Sequence, residues 1–353
     1  MNLDQAYHQI ETRLDKLDFS ALFRGFSRFP FALYDNTRAY IGGAYLDRPA
    51  EFLGNTSVLF RGAHTAIWNL TKEPEDLDVL TSKLVHEMLH AFQHTMGETR
   101  WADERQALVK YRYDPENISA RLKEAACMRA CLSGADPAAF ARLLALRRAR
   151  MERSPFAYDY ESRIEQIEGS AHFVELAALA QLDENKAKRR WEQLFAALED
   201  PAQYFPVRAV TYLSGAAFIA CLRRYTDLDT DSFTDIPFAA AALASARPCA
   251  LPESDPRAAA CLADWQKQCR TKVDRALEKD DVVLDGTYRL IVWNVYDAVW
   301  DGRYAVLTAF IGYLEGTEMP DTDEDLFARM QVLQGDFIAE MDESLRLFRV
   351  WRQ

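Results

Sequence analysis

The chain has 353 residues, 49% of them hydrophobic and 27% charged, enough to bury a sizeable core in one large or two medium units. A formal net charge of −12 gives no general electrostatic footprint for nucleic acid or for an anionic membrane, so neither partner is expected. The longest apolar stretches, such as 213–222, fall short of the ~20 residues a membrane span needs.

The opening "MNLDQAYHQIETRLDKLDFSALFRGF" is amphipathic and charged, unlike a secretory signal, and 2–18 reads as a helix. Six cysteines form no Cys-x-x-Cys pair. Cys127 and Cys131 lie one helical turn apart, which favours two buried thiols over a disulfide. A reduced, cytoplasmic protein is the simplest expectation.

Between 30 and 70 the pattern is that of short strands, at 31–35, 38–42, 56–61 and 64–70, separated by Gly, Asn, Asp or Pro. The short links predict a small, mainly antiparallel sheet. From 75 a helical period takes over, with a first helix at about 76–96 that stops at Gly97. Further helices are expected at about 116–133, 137–152, 159–182, 184–199, 208–225 and 256–279. The basic runs "RRAR" (147–150) and "KAKRR" (186–190) read as solvated helix faces. Past 280 strands return, with a hairpin turning at Asp301-Gly302 and more strands in "QVLQGDFIAEMDESLRLFRVW". The fold class predicted is α+β: a small N-terminal sheet and a large helical body within 1–280, then a β-rich module over 281–353.

The chemistry concentrates in "LTSKLVHEMLHAFQHTMG". His86 and His90 are four residues apart, so on a helix both imidazoles share one face. Glu87 is rotated by roughly 100° from His86, near enough to meet a metal-bound water without being a ligand. His-Glu-x-x-His is thus two zinc ligands and a general base for attack of water on a carbonyl. The flanks Leu84, Val85, Met88, Leu89 and Phe92 are apolar, and unpaired imidazoles among them would cost free energy. His94 lies about 12 Å from His86 along the axis, too far to share one ion, and reads as a surface or supporting histidine.

A second segment, "SRIEQIEGSAHFVELAALAQL" (162–182), carries Glu168, His172 and Glu175 as an acid–imidazole stripe at i, i+4 and i+7. It supplies the carboxylate that the first helix lacks. Gly169 in mid-helix costs about 1 kcal/mol relative to alanine, tolerable where another element must approach closely.

"HEMLH" followed by "EGSAHFVE" resembles the gluzincin metallopeptidases, in which two histidines and a downstream glutamate bind zinc. The second segment is similar to the Glu-Gly-x-Ala-x-aromatic-x-Glu run of their aminopeptidase branch. The resemblance implies a zincin-like body in which His86, His90 and Glu168 hold Zn2+, Glu87 is the base and Glu175 partners an imidazole N–H. The gap between the motifs is longer here, implying a helical insert at about 100–158. The glycine-rich motif that seats a substrate amino terminus is missing, since "IGGAY" (41–45) lacks its acidic residue, so aminopeptidase specificity is not implied.

The resemblance further implies an edge strand that pairs with an extended peptide, for which 56–61 is favoured, and an oxyanion donor opposite the metal. For that donor Tyr212 is the first choice and Tyr204 the second, and Arg208, one turn before Tyr212, is an alternative stabiliser of the oxyanion. The function expected is a zinc-dependent hydrolase acting on a peptide or protein substrate. The alternative is a non-catalytic binding or regulatory protein that keeps zinc as a structural ion.

Overall fold

Helix α1 (Leu3–Leu14) opens on Asn2, whose side chain accepts the Gln5 N–H, and buries Leu3, Ala6, Tyr7, Ile10 and Leu14 at helical spacing. The structure is a computed structural model; it describes residues 2–353 except 73, 75, 135 and 317, and leaves aside the side chains of 323, 324 and 327. A short α2 (Phe19–Leu22) leads into strands β1 (Phe31–Tyr34), β2 (Arg38–Ile41), β3 (Ala44–Asp47), β4 (Thr56–Phe60) and β5 (Ala63–Asn69). They form one sheet in the order β3-β2-β1-β5-β4. Only β1 and β5 run parallel, so the sheet is mixed but mainly antiparallel. Strand β3 was not marked in the sequence; the double glycine Gly42-Gly43, both at positive φ, makes the turn that creates it. Strand β4 lies at an edge, the position expected for 56–61.

Helix α3 (Leu77–Thr95) starts at Asp76, whose carboxylate accepts the N–H groups of Asp78 and Val79. The helical body continues with α4 (Glu104–Lys110), α5 (Pro115–Gly134), α6 (Pro137–Arg153) and α7 (Pro155–Ile164). A π-helical turn (Glu165–Gly169) then joins α7 to α8 (Ser170–Leu182). The expected single helix over 159–182 is therefore two helices and a wider turn, a local overwidening that hydrophobic periodicity does not reveal. Helices α9 (Glu184–Leu198), α10 (Val207–Tyr225), α11 (Phe238–Ala241) and α12 (Pro256–Lys279) complete the body. Among the described residues, no helix is long and apolar enough to cross a membrane.

The C-terminal strands are β6 (Val282–Trp293), β7 (Val299–Trp300), β8 (Tyr304–Leu307), β9 (Phe310–Glu315), β10 (Gln331–Gln334), β11 (Phe337–Met341) and β12 (Arg346–Arg352), with α13 (Asp323–Arg329) before β10. They form a second, antiparallel sheet in the order β10-β9-β6-β12-β11-β8-β7. The β7–β8 hairpin turns at Asp301-Gly302, as the sequence indicated. The chain is thus α+β, with a sheet at each end. One face of the second sheet packs on Leu108 and Val109 of α4, the other on Val273 and Ala276 of α12. Each face is therefore covered in part by a helix of the body.

The reading of 147–150 as a solvated face is overturned for two of its three arginines. Arg147 and Arg150 are 1% and 2% exposed. Arg147 binds Glu165 through two bonds of 2.8 and 2.6 Å, and Arg150 binds Glu124 at 2.7 Å and Glu161 at 2.6 Å. Arg121, equally buried, lies 3.4 Å from Glu161. Three guanidinium groups and three carboxylates form one network linking α5, α6, α7 and the π turn, with the charges balanced inside the core. In "KAKRR", by contrast, Lys188, Arg189 and Arg190 are exposed as expected.

Candidate metal centre

Helix α3 buries Leu84, Val85, Met88 and Leu89 against Ala171, Val174 and Ala178 of α8. With the apolar faces locked together, the adjoining stripes of imidazole and carboxylate meet as well. His90 Nε2 lies 3.2 Å from Glu168 Oε2, and His86 Nε2 lies 3.6 Å from the same oxygen. All three side chains are mostly buried, 12–14% exposed. Ligands about 2.0–2.1 Å from a tetrahedral ion stand about 3.3 Å from each other, so this spacing suits a metal ion between them.

The outward nitrogens of the two rings support the same arrangement. His90 Nδ1 is 2.8 Å from the amide oxygen of Gln93, a contact in which the ring donates, so in the neutral ring the lone pair sits on Nε2. Gln93 is in turn held by donating to the Ile167 carbonyl in the π turn, at 3.2 Å. His86 Nδ1 faces Glu175 Oε2 at 3.3 Å, and His172 Nδ1 approaches the same oxygen at 3.1 Å. His86, His90 and Glu168 form one group that can hold a metal ion, and His86, His172 and Glu175 form another.

The charged groups of this cluster act strongly on one another. Burial opposes a charged His86, but Glu168 and Glu175 outweigh it and push its pKa up to about 10. His90 moves the same way, burial being overcome mainly by Glu168. Burial would raise Glu168 and Glu175, yet the histidines beside them hold both carboxyls well below their usual range. Such a cluster calls for positive charge at its centre, from protons on the imidazoles or from a metal cation. Glu87 differs: burial raises its pKa and the two imidazoles only partly offset that.

Glu168 is aimed by a residue from another helix. Arg208 of α10 donates from Nη2 to Glu168 Oε1 at 3.1 Å, which leaves Oε2 to the imidazoles. The other end of the guanidinium binds Glu104 of α4, and Glu104 accepts from the Tyr160 hydroxyl at 2.9 Å. Close approach of α10 depends on two glycines. A Cβ on Gly169 would lie 2.6 Å from the Gly215 Cα, and one on Gly215 would lie 2.8 Å from the Gly169 Cα. The mid-helix glycine thus sits where another helix presses against it.

Tyr212 lines a cleft of about 540 Å³ together with His86, Glu87, His172 and Trp68. Its hydroxyl is 3.0 Å from that of Tyr296, which comes from the loop between β6 and β7 and lines the same cleft. Tyr204 is not part of this group; it is 1% exposed and donates to the Leu198 carbonyl at 2.8 Å, so the second choice of donor is a core residue. His94 is exposed and stacks on His64 and on Trp101, with centroids at 5.3 and 4.7 Å, and belongs to neither group that can hold a metal.

Sequence reasoning found His86, Glu87, His90, Glu168, Glu175, Arg208 and Tyr212, and the structure brings them to one region. It missed Gln93, Glu104, Tyr160 and Tyr296. Gln93, three residues from His90, carried a usable signal; the others come from segments with no pattern linking them to the motif. Comparison of the chain with protein-family models, curated proteins and solved structures gives no match.

Proposed function

We propose that this chain is a zinc-dependent hydrolase of peptide bonds, working as gluzincin metallopeptidases do. The observation that carries the reading is the convergence of His86 Nε2, His90 Nε2 and Glu168 Oε2, with Glu87 beside them on an open cleft. Two imidazoles and a carboxylate are a donor set zinc accepts in catalytic sites. Zinc held there would supply Lewis acidity toward a carbonyl oxygen and toward water.

The chain's own groups do the rest. Glu87 receives a proton at its carboxylate from the attacking water and passes it to the nitrogen of the departing amine. Tyr212 donates its O–H to the carbonyl oxygen as negative charge develops there. Arg208 is committed to Glu168 and Glu104, so it acts as a positioning residue for the third ligand rather than as the oxyanion donor. Strand β4, at an edge of the first sheet, offers its outer backbone groups to an extended peptide.

Metal analysis combined with substitution tests the reading. The purified chain should hold about one zinc per molecule and cleave an unstructured protein such as casein. Glu87→Gln should keep the metal and abolish cleavage, whereas Glu168→Ala should lose the metal. A chain that takes up no stoichiometric metal, or a Glu87→Gln variant with undiminished cleavage, overturns it.

A further inference from the structure

A second cavity, of about 400 Å³, opens where α4, α10 and α12 meet the C-terminal sheet. It shares no lining residue with the metal cleft. Two neighbours in each wall divide them: Val295 faces the cavity and Tyr296 the cleft, while Arg208 lines the cavity and Tyr212, one turn on, the cleft. The volume falls within the range of small-ligand pockets, roughly 300–1,000 Å³.

Its walls are aromatic. Trp265, Trp293, Trp300, Tyr113 and Tyr304 all line it, and the rings of Tyr113 and Trp265 stand 4.6 Å apart. Such walls favour a flat ring, which gains area and edge-to-face contacts together. The charge in the lining is uneven. Glu104 is engaged by Arg208 and Tyr160, and Asp301 accepts the backbone N–H groups of Arg303 and Tyr304. Arg112 donates only to the Tyr111 carbonyl, and Arg270 has no acceptor among the described residues. Two guanidinium groups without a carboxylate beside them among those residues favour an occupant that brings an anionic oxygen over a purely apolar one.

We infer that this cavity is a binding site for an aromatic ring carrying a carboxylate, the chemistry of a peptide that ends in an aromatic residue. The ring packs among the tryptophans, and the carboxylate pairs with Arg270 and Arg112 at the mouth. The site needs no metal, so it stands whether or not the zinc reading does.

Titration of the full chain with N-acetyltryptophan and with uncharged N-acetyltryptophanamide, with and without a chelator, tests this. The carboxylate should bind saturably at one site under both conditions, and the amide roughly tenfold more weakly, the loss of one charge-assisted contact. Arg270→Gln with Arg112→Gln, both exposed positions, should abolish that preference, so that the carboxylate binds no more tightly than the amide. With 5-fluorotryptophan incorporated, the resonances of Trp265, Trp293 and Trp300 should shift on binding and that of Trp191 should not. Absence of saturable binding, binding that the chelator removes, or a preference that survives the double substitution overturns the inference.

Discussion

The hydroxyls of Tyr212 and Tyr296 meet at 3.0 Å, and with them the helical body meets the C-terminal sheet across the cleft. Tyr212 belongs to α10 and Tyr296 to a loop of the module, so each fixes the other's orientation. Tyr212→Phe is expected to lower kcat by about 10²–10³, the usual cost of removing an oxyanion donor. Tyr296→Phe should cost less, and the double variant should be no slower than Tyr212→Phe alone. Metal content should be unchanged in all three. A double variant much slower than either single one would show that Tyr296 acts independently of Tyr212.

Alanine in place of glycine within a helix ordinarily stabilises it by about 1 kcal/mol. At Gly169 the sign should reverse, because the added Cβ would meet the Gly215 Cα at 2.6 Å, a backbone atom that cannot rotate away. Overpacking of this kind costs about 1–3 kcal/mol. Denaturant unfolding of Gly169→Ala should show the loss, and the displaced α10 should carry Arg208 and Tyr212 off the site, lowering metal affinity too.

The buried charge network should respond far more strongly than surface pairs. Arg147→Met leaves Glu165 and Glu124 without the partner that reaches both, and removal of one member of a buried pair costs about 3–5 kcal/mol. Lys188→Met breaks an exposed pair with Glu184 and should change stability by about 1 kcal/mol or less. Equal effects in urea unfolding would mean that the network contributes nothing beyond its surface counterpart.

Acid should find the same network. Burial would raise the Glu161 carboxyl, but Arg121 and Arg150 outweigh it and lower its pKa to about 2, from 4.5. A carboxyl more acidic in the folded chain favours the fold above its unfolded pKa, and that contribution fades as the pH falls from about 4.5 toward 2. The contribution is on the order of 3 kcal/mol. Glu161→Gln should therefore be less stable at neutral pH, with a shallower loss of stability through this acid range.

The legible features of this sequence were those with a local period. The i, i+4 and i+7 spacings of "HEMLH" and "EGSAHFVE" identified residues that converge, because helices carry side-chain order directly into space. Most helix and strand positions followed for the same reason, and so did the α+β class, whereas β3 and the short helices α4 and α11 did not. Arg147 and Arg150 were misread because a helical pattern records which residues share a face, not what covers that face. Their partners Glu124, Glu161 and Glu165 lie on α5, α7 and the π turn, and only packing brings them together. Tyr296 was invisible for a related reason, since its place in the cleft depends on how the second sheet docks. Glycine was informative: Gly169 looked costly in isolation, and the cost marks where α10 crosses.

The π turn at 165–169 makes this helix one residue longer than a regular helix of the same height. Removing any single residue there would let α7 run into α8 without interruption, rotating one relative to the other by about 100°. The half that bears Glu161 and its arginine partners and the half that bears His172 and Glu175 could then no longer both meet their neighbours. A deletion of one amino acid would thus set the packing of the buried arginine network against the geometry of the imidazole–carboxylate cluster.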